Sequence, residues 1–249
     1  MSERHLTASI NEVQVGTLRE VAGLWSFEYA TAWLKDPKRF ALSPHLPLTA
    51  EVLLDGASKR PVQWYFDNLL PEEGQRLLLA GDAKLDAADA FGLLAWYGAE
   101  SAGSLTLLAP ESAPQTEEPL RHLPDHALEE RIRALPKAPL TRAAIKRMSL
   151  AGAQHKLAVV LQSDGLYEPS GATPSTHILK PNHPDGDYPQ SVINEWFVMR
   201  FARRLGLDVP TVHRRYVPSP VYLIERFDRI QHRFGWQRRH AIEIGRAHV

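Results

Sequence analysis

One stretch of this chain has the residue types and spacing to hold a phosphorylated ligand. Ser149 to Lys156 reads SLAGAQHK and runs directly into the apolar segment LAVVL. Small residues at Ala151, Gly152 and Ala153 let backbone N–H groups come close to an anion. A small-residue loop feeding a strand is how a kinase covers nucleotide phosphates, whereas the Walker loop feeds a helix. A lone AGA, taken by itself, is better explained as a hairpin turn. Lys180 ends the apolar run THILK, where an ammonium is costly to bury without a partner. Glu195 follows 15 residues later, near the start of an amphipathic segment. In the kinase reading Lys180 meets the α- and β-phosphates and the helix glutamate. Singly, Lys180 is better read as a snorkelling edge lysine and Glu195 as an acid that suits a helix N-terminus. Loop, lysine and glutamate in this order, on these elements, favour phosphate chemistry.

The elements that must position them follow from periodicity. Leu157 to Gln162 and His177 to Lys180 read as strands, and Asn194 to Leu205 as a helix ended by Gly206. Arg215 to Val217 and Val221 to Glu225 read as two more strands. Glu225, Arg226 and Phe227 then occupy the place of a kinase hinge, whose backbone meets the adenine edge. Their bland alternative is a strand end with a weak surface salt bridge among Arg226, Asp228 and Arg229.

Upstream, Ala109 to Asp125 (APESAPQTEEPLRHLPD) has four prolines and no apolar periodicity, which predicts a loop or tether. Before it, Glu12 to Leu18 and Leu24 to Tyr29 read as strands, Ala30 to Phe40 as a short helix or turn, and Glu51 to Leu54 as a further strand. Gln63 to Leu69, Glu72 to Leu79 and Ala87 to Tyr97 carry apolar residues at helical spacing, with Pro71 placed to open the second helix. The expected fold is α+β: a small N-terminal domain over 1–109, a linker over 110–125, and a kinase-like N-lobe of antiparallel sheet plus helix over 126–243.

Several gapped segments in order resemble the HipA kinase family. They are SLAGAQHK with LAVV, GATPSTHILKP, NEWF, ARRLGLDVP and YLIERFDR. The earlier VGTL, LPL, WYFDNLLPEEGQR and FGLLAWYGAESAGSLTL resemble the domain fused before that kinase. The resemblance runs to about Arg239. It implies that Ser149 is autophosphorylated, and a phosphate of nearly −2 charge there would expel the loop. It implies that Ala151, Gly152, Ala153, Gln154, His155 and Lys156 line the phosphates of ATP, that Lys180 holds them, and that Glu225 to Phe227 frame the adenine. His155 stands where some members carry an acid; because the backbone does the cradling, that departure is expected to be neutral. The resemblance further implies an aminoacyl-tRNA synthetase as substrate, a HipB-like helix-turn-helix antitoxin as partner, and contact with DNA only through that antitoxin.

Phosphoryl transfer also needs a substrate-positioning aspartate, an asparagine and a magnesium-binding aspartate. By the resemblance these belong to a helical C-lobe beyond the last match, so the chain is expected to be truncated before it and inactive alone. Asp164, Asp185, Asp187 and Asp228 fall in predicted loops or the hinge and are not stand-ins. The terminal Ile244 to Val249 (IGRAHV) departs from the family and matches the translation of a common sequencing adaptor, so 244–249 is expected to be an artefactual tail.

Composition narrows the alternatives. Lys+Arg and Asp+Glu are both 29, a balance that argues against a chain devoted to coating nucleic acid. There is no cysteine, which excludes thiolate catalysis and cysteine-bound zinc. The N-terminus has no signal-peptide core, and no apolar run reaches the roughly 18 residues of a membrane span, so a cytoplasmic protein is expected. The 11 histidines show no metal-binding spacing. Five of the six tryptophans, all but Trp236, are expected in the core. Arg200, Arg203, Arg204, Arg214 and Arg215 form a basic cluster that reads as a solvated face. Two competing functions remain: a non-catalytic nucleotide- or antitoxin-binding module, and a small-molecule ATP-dependent enzyme.

Overall fold

The computed structural model describes residues 3–109, 119–144, 146–148, 150–233 and 235–239. Ser149 and the 244–249 tail lie outside the described residues.

Alternation writes the first sheet. β1 (Arg4–Ile10), β2 (Val13–Val21) and β3 (Leu24–Tyr29) each send alternate residues into the core. Two-residue turns join them. Asn11 and Glu12 have φ 48 and 68, and Ala22 and Gly23 have φ 53 and 78, the positive values that tight hairpins require. Four helices and two short strands follow: α1 (Thr31–Lys35), β4 (Leu53–Leu54), α2 (Pro61–Asp67), α3 (Glu73–Ala83), α4 (Ala90–Tyr97) and β5 (Thr106–Leu108). The sheet order is β4-β3-β2-β1-β5, and α2 and α4 cover its inner face through Phe66, Phe91 and Leu94. Pro61, not Pro71, sits at a helix start; α3 begins at Glu73, beyond Pro71.

The second domain opens earlier than the linker reading expected. β6 (Leu120–His122) lies within that stretch, and pairs with β8 (Gly165–Pro169). The buried Glu168 fixes it there, bridging Arg121 and Arg131 at 2.6 Å each. α5 (Asp125–Arg133) follows, then β7 (Leu157–Gln162), the β8 strand, β9 (His177–Pro181), α6 (Ser191–Arg204), β10 (Val212–Tyr216), β11 (Pro220–Glu225), β12 (Arg229–His232) and β13 (Gly235–Arg238). The main sheet is antiparallel in the order β10-β11-β9-β7-β8-β6. β12 and β13 form a separate hairpin. The α+β architecture with a kinase-like N-lobe is thus observed.

Two surface features depart from expectation. Trp25 and Trp33 are core, but Trp64 and Trp96 are 53% and 37% exposed. Trp64 and Trp96 sit on the outward sides of α2 and α4. Trp196 is half-buried, with Arg200 and Arg214 stacked over its ring. The rest of the basic cluster is divided, since Arg215 pairs with Asp125 and Arg203 donates to the Val209 carbonyl.

Candidate functional site

β9 lies between β7 and β11, and register decides what meets there. Leu157, the first residue of β7, is opposite Leu179, so the loop Ala151–Lys156 enters the sheet beside Lys180. Lys180 in turn is opposite Tyr222 of β11, with its ammonium 5.9 Å from that ring's centre. α6 packs over this part of the sheet through Val192, Trp196 and Met199 against Val212, Tyr222 and Ile224. That packing delivers Glu195 to the lysine. Lys180 Nζ donates to Glu195 Oε2 at 2.7 Å, with the two side chains 22% and 30% exposed. The pair predicted from spacing is therefore formed.

Within the loop, Gly152 has φ +98, a left-handed value that favours glycine. A Cβ there would stand 2.8 Å from Lys156 Nζ. That ammonium folds back to donate to the Ala151 carbonyl, closing the loop on itself. Gln154 and Lys156 line a cleft shared with Gln75 and Leu79 of α3 and with Leu140 and Thr141. His155, between them, is buried. Its Nε2 lies 3.2 Å from Gln75 Nε2 of the N-terminal domain, and its Nδ1 has no partner among the described residues. Burial, then the charge of His183, lowers its pKa to about 4. The His155 side chain thus makes a contact between the two domains. A phosphate chain here would meet a small-residue turn with Lys156 and Lys180 beside it, once Lys156 leaves the Ala151 carbonyl.

The hinge run divides. Glu225 ends β11 opposite His177, three residues along β9 from Lys180, or about 10 Å at the usual strand rise. A nucleoside triphosphate is long enough to reach between the two. The Glu225 and Arg226 N–H groups are used on the Thr211 and Thr176 carbonyls. Nothing bonds the Phe227 N–H among the described residues, and Phe227 is 50% exposed. Arg226 does not face the cleft. It is buried with Asp228 and Arg229, so the surface salt bridge read from sequence is an interior one.

What buries it is Glu100 of the N-terminal domain, which sequence reasoning missed. Glu100 is 0% exposed and meets Lys146, Arg226, Arg229 and Arg238. Burial alone would raise its pKa; the four cations outweigh burial and hold it well below the usual carboxylate range. Burial, followed by Arg226, lowers Arg229 to about 10. The one signal in the sequence was an acid inside the apolar run LLAWYGAESAGSL.

Among the described residues no group of three or more His, Asp or Glu is placed to hold a metal ion. Asp164 accepts from the Tyr167 hydroxyl, and Asp228 is held by its arginines. No described helix is long and apolar enough to cross a membrane.

Both domains have counterparts among known proteins. Residues 6–108 match the HipA N-terminal domain and residues 148–247 the HipA-like C-terminal domain. Y4mE of Sinorhizobium fredii, which carries a kinase name, is 39% identical over 82% of this chain and 49% of its own length. The serine/threonine-protein kinase toxin HipA of Shewanella oneidensis is 28% identical over 90% of this chain and 50% of its own. The chain thus spans about half the length of these curated relatives. Among solved structures, a chain of the Shewanella oneidensis MR-1 toxin–antitoxin complex of HipA, HipB and operator DNA superposes with a TM-score of 0.73. It is 27% identical and covers 94% of this chain and 54% of that one. With both domain types matched in sequence and the fold matched across nearly the whole length, the chain belongs to the HipA family.

Proposed function

We propose that this chain is the ATP-binding front half of a HipA-type serine/threonine kinase toxin. The observation that carries the reading is the Lys180–Glu195 pair, which joins the middle strand to the helix beside a small-residue loop. In this reading the N–H groups of Ala151–Lys156 cover the phosphates. Lys180 contacts the α- and β-phosphates, held in place by Glu195. The Phe227 N–H and the end of β11 at Glu225 frame the adenine, while Arg226 supports the hinge from behind. Phosphate on Ser149 acts as the off-switch by expelling the loop. Magnesium would supply neutralisation of phosphate charge; the residues to hold it, with the aspartate and asparagine of transfer, would belong to a second lobe. The exposed apolar side of α6, with Phe197, Val198, Phe201 and Leu205, supports a covering lobe of that kind.

The wider role is inferred from the family resemblance. The protein acts in the cytoplasm within a toxin–antitoxin pair, bound by a HipB-like helix-turn-helix antitoxin that carries the DNA contact. Its substrate is an aminoacyl-tRNA synthetase.

ATP titration into the full chain and its Lys180→Met variant tests the reading. Loss of a charge-assisted contact predicts roughly 10- to 100-fold weaker ATP binding at unchanged melting temperature. Equal affinity in the two proteins, or no ATP binding by either, overturns it. ATP binding without phosphate transfer by the longer gene product favours the non-catalytic module.

A further inference from the structure

Glu100 stands where three parts of the second domain converge. Its Oε1 accepts from Arg229 Nη2 and Ser175 Oγ at 2.7 Å and from Arg226 Nη1 at 3.2 Å. Its Oε2 accepts from Arg238 Nη2 at 2.7 Å and lies 3.1 Å from Lys146 Nζ. The neighbouring Ser101 and Gly103 carbonyls accept from Arg226 at 3.2 and 3.3 Å. The cations come from different segments of the second domain. Lys146 precedes the phosphate loop, and a bridge between Glu100 and Met148 anchors the same segment. Arg226 is in the hinge, and Arg229 and Arg238 belong to the hairpin that follows it.

We propose that Glu100 is a positioning residue for the nucleotide site: by holding Lys146 and Arg226 at once, it sets the spacing between phosphate loop and adenine-framing hinge. The N-terminal domain thereby fixes the width of the cleft. This inference rests on the nucleotide reading above. Its physical basis is charge. Six ionised groups are buried together, Glu100 and Asp228 against Lys146, Arg226, Arg229 and Arg238, a formal excess of two positive charges. Neutralising Glu100 leaves four cations facing one carboxylate in a site with little solvent, and their repulsion acts across both walls. Neutralising Lys146 reduces the excess and releases only the loop side. A mere staple between domains would change melting without favouring one ligand over another.

The test uses the full chain with Glu100→Gln, Glu100→Asp and Lys146→Met. ATP, which reaches from loop to hinge, is compared with inorganic tripolyphosphate, which touches the loop side only. Amide hydrogen exchange is followed over 146–156 and 225–232. Glu100→Gln is expected to weaken ATP by about tenfold, to affect tripolyphosphate far less, and to speed exchange in both segments. Glu100→Asp recovers part of the ATP affinity. Lys146→Met speeds exchange in the first segment only, and keeps the proposal testable if Glu100→Gln does not fold. An equal fall for both ligands, or faster exchange confined to one wall in the Glu100 variants, overturns the proposal. If the parent chain binds neither ligand, the nucleotide reading fails, and the exchange pattern alone decides whether Glu100 couples the two segments.

Discussion

Mild acid destabilises this protein before its carboxylates protonate, and two buried histidines set the size of the effect. His155 and His177 are 4% and 7% exposed. Burial, assisted by His183 for the first and by His213 for the second, lowers each from 6.5 to about 4. Unfolded, each histidine takes up a proton as the pH falls through 6.5; folded, each resists until about 4. The unfolded state thus binds more protons throughout this window, so stability falls with falling pH. The loss is about 2 kcal/mol per histidine at pH 5, or about 4 kcal/mol for both. That is a large part of the roughly 5–15 kcal/mol that keeps a domain folded. Glu100 and Asp228 are held low, so their stabilisation is lost only as the pH passes below the unfolded carboxylate values of 4.5 and 3.8. Urea unfolding at half-unit steps from pH 7 to 5 measures the slope. His155→Gln and His177→Gln should each remove about half of it, whatever they do to stability at pH 7. A flat profile, or an unchanged slope in both variants, refutes the reasoning.

Three further outcomes are expected. Gly152→Ala forces a Cβ into a φ of +98 beside Lys156, costing about 1–2 kcal/mol in thermal melting and weakening ATP binding. Arg147→Ala removes the guanidinium 3.5 Å over Trp96, lowering stability by about 0.5–1 kcal/mol and shifting tryptophan emission. Phe197→Ser with Phe201→Ser alters side chains that are 59% and 54% exposed. Melting should stay within about 0.5 kcal/mol of the parent, while sedimentation shows less self-association.

What the sequence disclosed and what it hid follow from the range of the interactions involved. β7 was readable to the residue, Leu157–Gln162, because an apolar run bounded by polar turns needs no partner to be recognised. Lys180 and Glu195 were readable because strand and helix lie close in sequence and each has a fixed place in a phosphate site. β6 was not, since three residues become a strand only by pairing with β8, 47 positions away at Arg121 and Glu168. Trp96 was misplaced because α4 is apolar nearly all round, so its pattern leaves the outward face undefined. Arg226 looked like a surface residue because its partner Glu100 is 126 positions earlier. A single acid in an apolar run has no period to betray it.

The Glu100 contacts also bear on where this protein can be cut. The proline-rich stretch looks like a seam, yet the acid is on one side of it and its four cations on the other. A piece ending at 109 would present an orphaned carboxylate on newly wetted surface. A piece beginning at 119 would retain four cations against Asp228. Exchanging the first domain between relatives is therefore a transplant with a charge requirement. It fails where the incoming domain brings no acid at the Glu100 position, however well the rest of the surface matches.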